Sequence, residues 1–136
     1  MRKLIMWNII SLDGYFEGNE KWDLPFHLRI WGPELEKFSI EQLNDMDYLV
    51  FGRVTWAGMA EHWKKETGEI ARLMNAMPKL VASNSLVLAD WNQSTILSGD
   101  VASEISRIKK MEGKDMYVFG SADLSETLIR EDLFDE

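Results

Sequence analysis

Residues 48–56 read Tyr-Leu-Val-Phe-Gly-Arg-Val-Thr-Trp, and this stretch decides the fold of the chain. Four apolar residues run up to Gly52, which is typical of a strand buried on both faces of a sheet. Helical spacing follows over residues 54–63. Such a junction can hold a phosphate, because free N–H groups at the helix N-terminus and the guanidinium of Arg53 all donate hydrogen bonds. On spacing alone, a plain turn with a solvated Arg53 explains the pattern slightly better.

The same pattern recurs near the end of the chain. Residues 116–119 are apolar, and Gly120 and Ser121 follow before a second predicted helix. A third predicted strand, residues 79–83, runs into Ser83, Asn84 and Ser85, whose small polar side chains suit ribose or phosphate contacts. Two helix N-termini at neighbouring strand ends would flank one extended anion, such as the pyrophosphate of a dinucleotide. Neither glycine motif is the G-x-G-x-x-G fingerprint.

Composition limits the classes of protein to consider. The 136 residues suffice for one domain with its own core, and the net charge of −8 argues against nucleic acid as a partner. The paired lysines, residues 64–65 and 109–110, look like solvated helix faces rather than a basic patch. The chain has no Cys and only two His, and no spacing of its acidic residues suggests a cation site, so we predict no metal. No apolar run is long enough for a signal peptide or membrane span, and we expect a cytoplasmic protein.

Strands and helices alternate along the chain. We predict a central first strand over residues 3–10, an irregular aromatic segment over 16–33, and further strands at 48–51, 79–83, 94–97 and 116–119. Helices are predicted between them, one of which begins after a cap at Asp100. This alternation predicts an α/β fold with a mostly parallel central sheet.

Several of these pieces together resemble a known family. Residues 11–15 (Ser-Leu-Asp-Gly-Tyr), 52–56 (Gly-Arg-Val-Thr-Trp), 79–86, and 120–124 followed by 133–136 (Leu-Phe-Asp-Glu) occur in the order seen in the dihydrofolate reductase-like superfamily. Within it they resemble the C-terminal reductase domain of the riboflavin-biosynthesis deaminase–reductase. The resemblance spans nearly the whole chain, and it implies a single domain over residues 1–136 with helices on both faces of the sheet.

The resemblance also implies roles for particular residues. The family fold binds NADPH, with Arg53 near the 2′-phosphate or the pyrophosphate and Asp13 facing the nicotinamide and the substrate. The remaining matching positions would hold the cofactor: Gly52 and Thr55 at its phosphates, Ser83 and Ser85 along the adenosine, and Gly120, Ser121, Ala122 and Leu124 around the pyrophosphate through backbone N–H groups.

Two departures from the family pattern bear on these roles. Asn84 stands where the family often has a basic residue, which weakens the expected preference for NADPH over NADH. The chain also stops at Glu136, where the family continues into antiparallel edge strands beside the first strand. Either the chain is a truncated form whose first strand has a bare edge, or another subunit covers that edge. The dimerisation usual in the family suggests a homodimer.

Some residues permit two interpretations. Asp13 is either a proton donor or a turn former before Gly14, and His27 is either a proton donor or a packing residue. Trp22, Phe26 and Trp31 either line a pocket for a flat heterocycle or pack beneath a loop. We interpret Asp123 as a carboxylate in the first turn of the last helix and leave it out of the site.

The sequence therefore predicts an NADPH-dependent reductase of a small polar heterocyclic or ribosylamino-pyrimidine substrate. Its nearest named activity is 5-amino-6-(5-phosphoribosylamino)uracil reductase of riboflavin biosynthesis. The alternative is a dinucleotide-binding module without catalytic activity, because a reductase needs a closed pocket that a truncated sheet would not complete.

Overall fold

A computed structural model describes residues 1–20 and 22–136. The strands and helices alternate as the sequence predicts, with one additional short helix. The strands are β1 (Leu4–Trp7), β2 (Met46–Gly52), β3 (Lys79–Ala82), β4 (Ser94–Leu97) and β5 (Asp115–Phe119); the helices are α1 (Pro25–Ile30), α2 (Pro33–Asn44), α3 (Arg53–Trp63), α4 (Glu69–Ala76), α5 (Val101–Lys109) and α6 (Ala122–Arg130).

The five strands form one sheet in the order β1-β5-β2-β3-β4, and every neighbouring pair is parallel. This confirms the predicted parallel α/β sheet. The predicted central position of the first strand is wrong: β1 lies at the edge, and β5 lies between it and β2. The apolar sequence of β1 does not indicate its position in the sheet, because an edge strand that is covered on both faces has the same apolar pattern as a central strand.

The outer edge of β1 is partly covered by the last residues of the chain. The Asp135 N–H donates to the Leu4 carbonyl and the Met6 N–H donates to the Glu136 carbonyl, both at 2.9 Å. Asp135 also receives the Leu4 N–H on its carboxylate at 2.7 Å. The expectation of a bare edge is therefore corrected, because residues 135 and 136 already satisfy backbone groups that β1 would otherwise expose.

Helices cover both faces of the sheet. On one face, Val50 and Val118 pack with buried residues of α5 and α6, among them Ile105 and Leu128. On the other face, the alternate residues of β2 pack with α2, α3 and α4, whose buried contributions include Leu43, Trp56, Ala60, Leu73 and Met74. The two cores follow from the alternation of side chains along each strand.

One lysine, Lys109, is buried where the sequence suggests solvent. Lys109, predicted to lie on a solvated helix face, is 8% exposed and its Nζ contacts Asp135 at 2.7 Å and the Leu133 carbonyl at 2.6 Å. Burial alone would raise the pKa of Asp135, but the hydrogen bonds from Lys109 and from the Leu4 N–H lower it below its usual value. Lys109 therefore attaches the C-terminal residues to α5.

The segment over residues 16–33 is less irregular than expected, because it contains α1, which begins at Pro25. Proline suits the first helical position, since its fixed φ matches the helix and it has no N–H to leave unsatisfied. Within the described residues, no helix is both long and apolar enough to cross a membrane.

Candidate functional site

A cavity of about 960 Å³ runs along the carboxyl ends of the strands. All nine predicted cofactor residues line it: Gly52, Arg53, Thr55, Ser83, Ser85, Gly120, Ser121, Ala122 and Leu124. The structure thus brings together residues that come from three separate stretches of the chain. Their meeting follows from the parallel register, which places the ends of β2, β3 and β5 on the same edge of the sheet.

The cavity includes the strand ends at which the chain leaves the sheet toward opposite faces. After β2 the chain enters α3 on one face, and after the neighbouring β5 it enters α6 on the other. In open α/β sheets, ligands bind in the crevice outside the strand ends at such a switch point. The crevice between β2 and β5 is therefore the expected binding position in this topology.

The two glycine motifs are in direct contact across the crevice. The Gly52 N–H donates to the Ser121 Oγ at 2.9 Å, and the Ser121 hydroxyl donates to the Phe119 carbonyl at 3.1 Å. Gly120 has a φ of +56°, a left-handed conformation that glycine adopts without strain. A Cβ at Gly120 would lie 3.5 Å from the Thr55 methyl group, so the two loops approach to van der Waals distance.

The helix N-termini at the crevice have no side-chain caps. Gly52, which precedes α3, has no side chain, and the side chain of Ser121, which precedes α6, does not cap that helix. The first N–H groups of a helix have no partner within the helix, so these two termini present donors to the crevice. By contrast, Asp100 caps α5 as predicted, accepting from the Ser103 N–H at 3.1 Å. The free donors favour an anion between α3 and α6.

The backbone N–H groups of Gly52, predicted at the phosphates, and of Gly120, predicted as a backbone donor, are already engaged. The Gly52 N–H is held by Ser121, and the Gly120 N–H donates to the Asn8 side-chain oxygen at 2.8 Å. The donors that remain at the crevice belong to the first turns of α3 and α6. Gly52 and Gly120 therefore shape the crevice, while the next residues along the chain carry its donors.

The side chains on the β3 side form a compact polar turn. The Ser83 hydroxyl accepts from the Leu86 N–H at 2.9 Å and lies 3.4 Å from the Ser85 hydroxyl. Asn84 accepts from the Gly99 N–H at 2.8 Å, which joins this turn to the end of β4. The exposed Arg53 side chain stands at the first position of α3, beside the crevice. The hydroxyls of Ser83 and Ser85 and the guanidinium of Arg53 are thus available to a ligand on the β3 side of the cavity.

Asp13 lies outside the residues that line the cavity. It belongs to an exposed turn in which the Ser11 hydroxyl donates to its carboxylate at 2.6 Å and the Gly14 N–H donates to the Ser11 carbonyl at 3.0 Å. Leu12 and Tyr15 on the same turn are exposed as well. The catalytic role of Asp13 stays a prediction, and it requires the turn to move toward the cavity.

Part of the cavity lining is aromatic. Trp7 and Phe119 meet edge to face at 5.5 Å, and Trp22 packs on α3 at Gly58, where a Cβ would lie only 2.0 Å from its ring. Trp22 and Trp31 line the cavity as one of the two interpretations predicts, whereas Phe26 does not line it and packs against His27 at 4.6 Å. We use the name aromatic compartment for the space beside the rings that line the cavity, which are Trp7, Phe16, Trp22, Trp31, Trp63 and Phe119.

Two buried nitrogen atoms of cavity-lining residues have no hydrogen-bond partner among the described residues: His27 Nε2 and Trp63 Nε1. Burial lowers the pKa of His27, and the carbonyls of Phe16 and Ile9 offset part of that effect. Unpaired buried polar atoms are rare and costly in proteins. A ligand or a shift of a neighbouring side chain would give these two nitrogen atoms a hydrogen-bond partner. In the part of the chain that the structure describes, no group of three or more acidic or His side chains could hold a metal ion.

Sequence reasoning missed three residues that build the site. Asn8 interrupts the apolar run of the first strand, and such a polar residue at a strand end was the available signal for its contact with Gly120. Gly58 lies inside a helical pattern, where glycine is unfavourable and indicates a close approach. Trp63 gave no separate signal, because its spacing from Trp56 suits a core residue.

The comparisons with known proteins agree with this architecture. A family model for the RibD C-terminal domain matches residues 2–136. The chain is 28% identical to the uncharacterised protein YyaP of Bacillus subtilis (strain 168), over 99% of this chain and 71% of YyaP. It also superposes with a TM-score of 0.71 on a crystal structure from Shewanella sp. PV-4 whose name links it to riboflavin biosynthesis. That match has 19% identity and covers 99% of this chain and 73% of the other, so it shows the shared fold. The chain belongs to the RibD C-terminal domain family.

Proposed function

We propose that this protein is a reductase that binds NADPH along the strand ends and reduces a small heterocyclic or ribosylamino-pyrimidine substrate. The observation that carries the proposal is the contact between Gly52 and Ser121, which holds two uncapped helix N-termini together at the switch point of the sheet. Membership of the RibD C-terminal domain family supports a reductase-type activity.

The residues present suit a dinucleotide. Its pyrophosphate would meet the free N–H groups of the first turns of α3 and α6, where the helix dipoles favour negative charge. Arg53 would add a charge-assisted hydrogen bond to a phosphate, and Ser83 and Ser85 would contact the adenosine end. The cavity volume of about 960 Å³ leaves the aromatic compartment for the nicotinamide and the substrate.

NADPH, when bound, would supply a hydride with its two electrons to the carbon of a C=O or C=N bond of the substrate. The neighbouring oxygen or nitrogen of that bond would then need a proton. The chain itself would orient the two reactants and exclude water, chiefly through the aromatic compartment and the segment that carries Trp22. Asp13 is the proposed proton source, on the condition that its exposed turn moves over the cavity.

The experiment is a titration of the protein with NADPH and NADH, followed by quenching of the fluorescence of its six Trp. Oxidation of NADPH is then measured with the ribosylamino-pyrimidine substrate. We expect Arg53→Ala to weaken NADPH binding roughly tenfold or more, because it removes a charged hydrogen-bond donor. Arg107→Ala is the matched control, since Arg107 forms an exposed ion pair with Glu104 on α5.

The outcomes separate the two candidate functions. If neither dinucleotide binds at millimolar concentration, the cofactor site is refuted, and unchanged binding by the Arg53 variant refutes the role of that residue. Binding without turnover of the ribosylamino-pyrimidine favours a dinucleotide-binding module. The position of Asp13 outside the cavity lining is the observation that keeps this second function open.

A further inference from the structure

We infer that Asn75 is a positioning residue of the cavity, because its side-chain amide fixes the end of α3 at Trp63 and joins this part of the cavity wall to the buried Trp91. Asn75 itself does not line the cavity. The inference rests on the proposed function in one respect, since NADPH is the ligand whose affinity tests it.

The amide of Asn75 lies between a donor and an acceptor that cannot exchange roles. The Trp91 Nε1–H donates to the Asn75 Oδ1 at 2.8 Å, and the Asn75 Nδ2 donates to the Trp63 carbonyl at 2.9 Å. An indole N–H only donates and a carbonyl only accepts, so the two partners determine the orientation of the amide. A side chain that lacks either amide group loses one of the two bonds.

The Trp63 carbonyl needs a partner from outside its own helix. Trp63 is the last residue of α3, and the last carbonyls of a helix have no partner within it. Trp63 lines the cavity, and its Nε1 has no hydrogen-bond partner among the described residues. The bond from Asn75 therefore fixes the main chain of a residue whose side chain makes no hydrogen bond within the described part of the chain.

Asn75 is itself held by a well-packed part of the core. Trp91 is 1% exposed and stacks on Phe51 of β2, with the ring centres 5.9 Å apart. The Asn75 carbonyl accepts from the Lys79 Nζ at 3.2 Å and from the Asn92 Nδ2 at 3.1 Å. Asparagine is unfavourable in helices, because its side chain competes for backbone hydrogen bonds. Its presence near the end of α4 therefore fits a specific role for the side chain.

The bond between Asn75 and the Trp63 carbonyl joins α4 to α3, and both helices contribute to the cavity wall. Met59 and Trp63 line the cavity from α3, and Met74 lines it from α4. Arg53 is the first residue of α3, so it lies about 16 Å from Trp63 along the helix axis at about 1.5 Å per residue. A helix moves largely as a unit. Loss of the bond at Trp63 would therefore shift the cavity wall and also tilt Arg53 away from the cofactor phosphates.

The experiment compares Asn75→Asp and Asn75→Ala with the parent. Asn75→Asp keeps an oxygen for Trp91 but lacks the donor to Trp63, whereas Asn75→Ala loses both bonds. The affinity for NADPH is measured by Trp quenching under conditions in which urea unfolding shows that each protein is fully folded. We expect both variants to bind NADPH at least about fivefold more weakly, because α3 loses its fixed position.

The response of Trp91 to the ligand is a readout that a purely structural role of Asn75 would not produce. The indole N–H signals of the six Trp are recorded on 15N-labelled protein and assigned by replacing each Trp in turn with Phe. In the parent, NADPH should move the Trp91 signal, although Trp91 does not line the cavity. In Asn75→Ala this response should disappear, and the Trp63 signal should move without any ligand. If neither variant folds, the response of the parent still decides the inference.

Gln93→Ala is the matched control. The Gln93 Nε2 donates to the Ala76 carbonyl at 2.6 Å, at the same end of α4, and its loss should leave the affinity for NADPH at the parental value. Parental affinity in a folded Asn75 variant overturns the inference, as does an equal loss in Gln93→Ala or a Trp91 signal that NADPH does not move. If the parent binds no NADPH, the proposed cofactor site is refuted instead. The Trp63 signal of ligand-free Asn75→Ala then decides the inference, and an unmoved signal overturns it.

Discussion

The Gly52 N–H donates a hydrogen bond to the Ser121 Oγ at 2.9 Å, between residues that lie 69 positions apart in the chain. The bond joins the end of β2 to the loop between β5 and α6, since Ser121 directly precedes α6. One buried hydroxyl therefore sets the distance between the two helix N-termini that we propose as the phosphate site.

Ser121→Ala should lower the free energy of unfolding by about 1–3 kcal/mol, because it leaves the Gly52 N–H without its acceptor in a part-buried position. It should also weaken NADPH binding, since the two strand ends lose their connection. Urea unfolding and Trp quenching measure the two effects, and Ser106→Ala on α5 is the control.

Ser121→Gly separates the effect of losing the hydrogen bond from the effect of the backbone conformation at residue 121. Ser121 has a φ of 59°, a left-handed conformation that costs a non-glycine residue about 1 kcal/mol or more. We expect the Gly variant to be more stable than the Ala variant by about that amount, yet to bind NADPH as weakly. Parental affinity in both variants would show that the hydroxyl does not organise the crevice.

Asp13→Asn tests the proposed proton source. If the turn over residues 11–15 closes on the cavity, the substitution should lower kcat roughly a hundredfold and leave the affinity for NADPH unchanged. Single-turnover oxidation of NADPH is the measurement, and Asp23→Asn in the following segment is the control. A kcat within about threefold of the parent would assign the proton to solvent or to another residue.

Gly58→Ala tests the position of Trp22. The new methyl group would lie 2.0 Å from the Trp22 ring, so the ring must leave α3. We expect weaker binding of the heterocycle and a shift of Trp fluorescence without loss of helix, because Ala favours a helix by about 1 kcal/mol over Gly. Gly32→Ala is the control, since no atom lies within 4 Å of its added Cβ. Unchanged fluorescence and binding would contradict the packing of Trp22 on α3.

The sequence predicted the parts of this molecule that depend on local pattern. Apolar runs ending in glycine predicted β2 and β5, and their similarity predicted two helix N-termini at neighbouring strand ends, because parallel strands place equivalent ends at one edge. The capped start of α5 at Asp100 followed from its residue type.

What the sequence could not predict depends on non-local pairing. The edge position of β1 arises from which strands pair, and its apolar pattern is the same in either position. The burial of Lys109 follows from the return of Asp135 to β1, a contact between distant segments. The distance of Asp13 from the cavity depends on the direction of an exposed turn, which the dipeptide Asp13-Gly14 does not determine.

Lys79 supplies a prediction about pH. Its side chain is fully buried, its Nζ donates to the carbonyls of Met77, Asn92 and Asn75 at 2.6, 3.0 and 3.2 Å, and it lies 4.3 Å from the centre of the Trp91 ring. Burial lowers the pKa of Lys79 from 10.5 to about 8. Between about pH 8 and 10.5 the unfolded chain thus holds a proton that the folded chain has released, so the free energy of unfolding should rise with pH by up to about 3 kcal/mol from this group.

The measurement is the difference in unfolding free energy between the parent and Lys79→Met at several pH values across that window. Subtraction cancels the other groups that titrate there, including Tyr117, whose pKa is raised by burial. The difference should increase in favour of the parent as pH rises, because only the parent loses the cost of burying an ammonium group. Lys110→Met removes an exposed charge next to α5 and should give a nearly constant difference. A constant difference for Lys79→Met as well would show that the three carbonyls and the Trp91 ring compensate the buried charge fully.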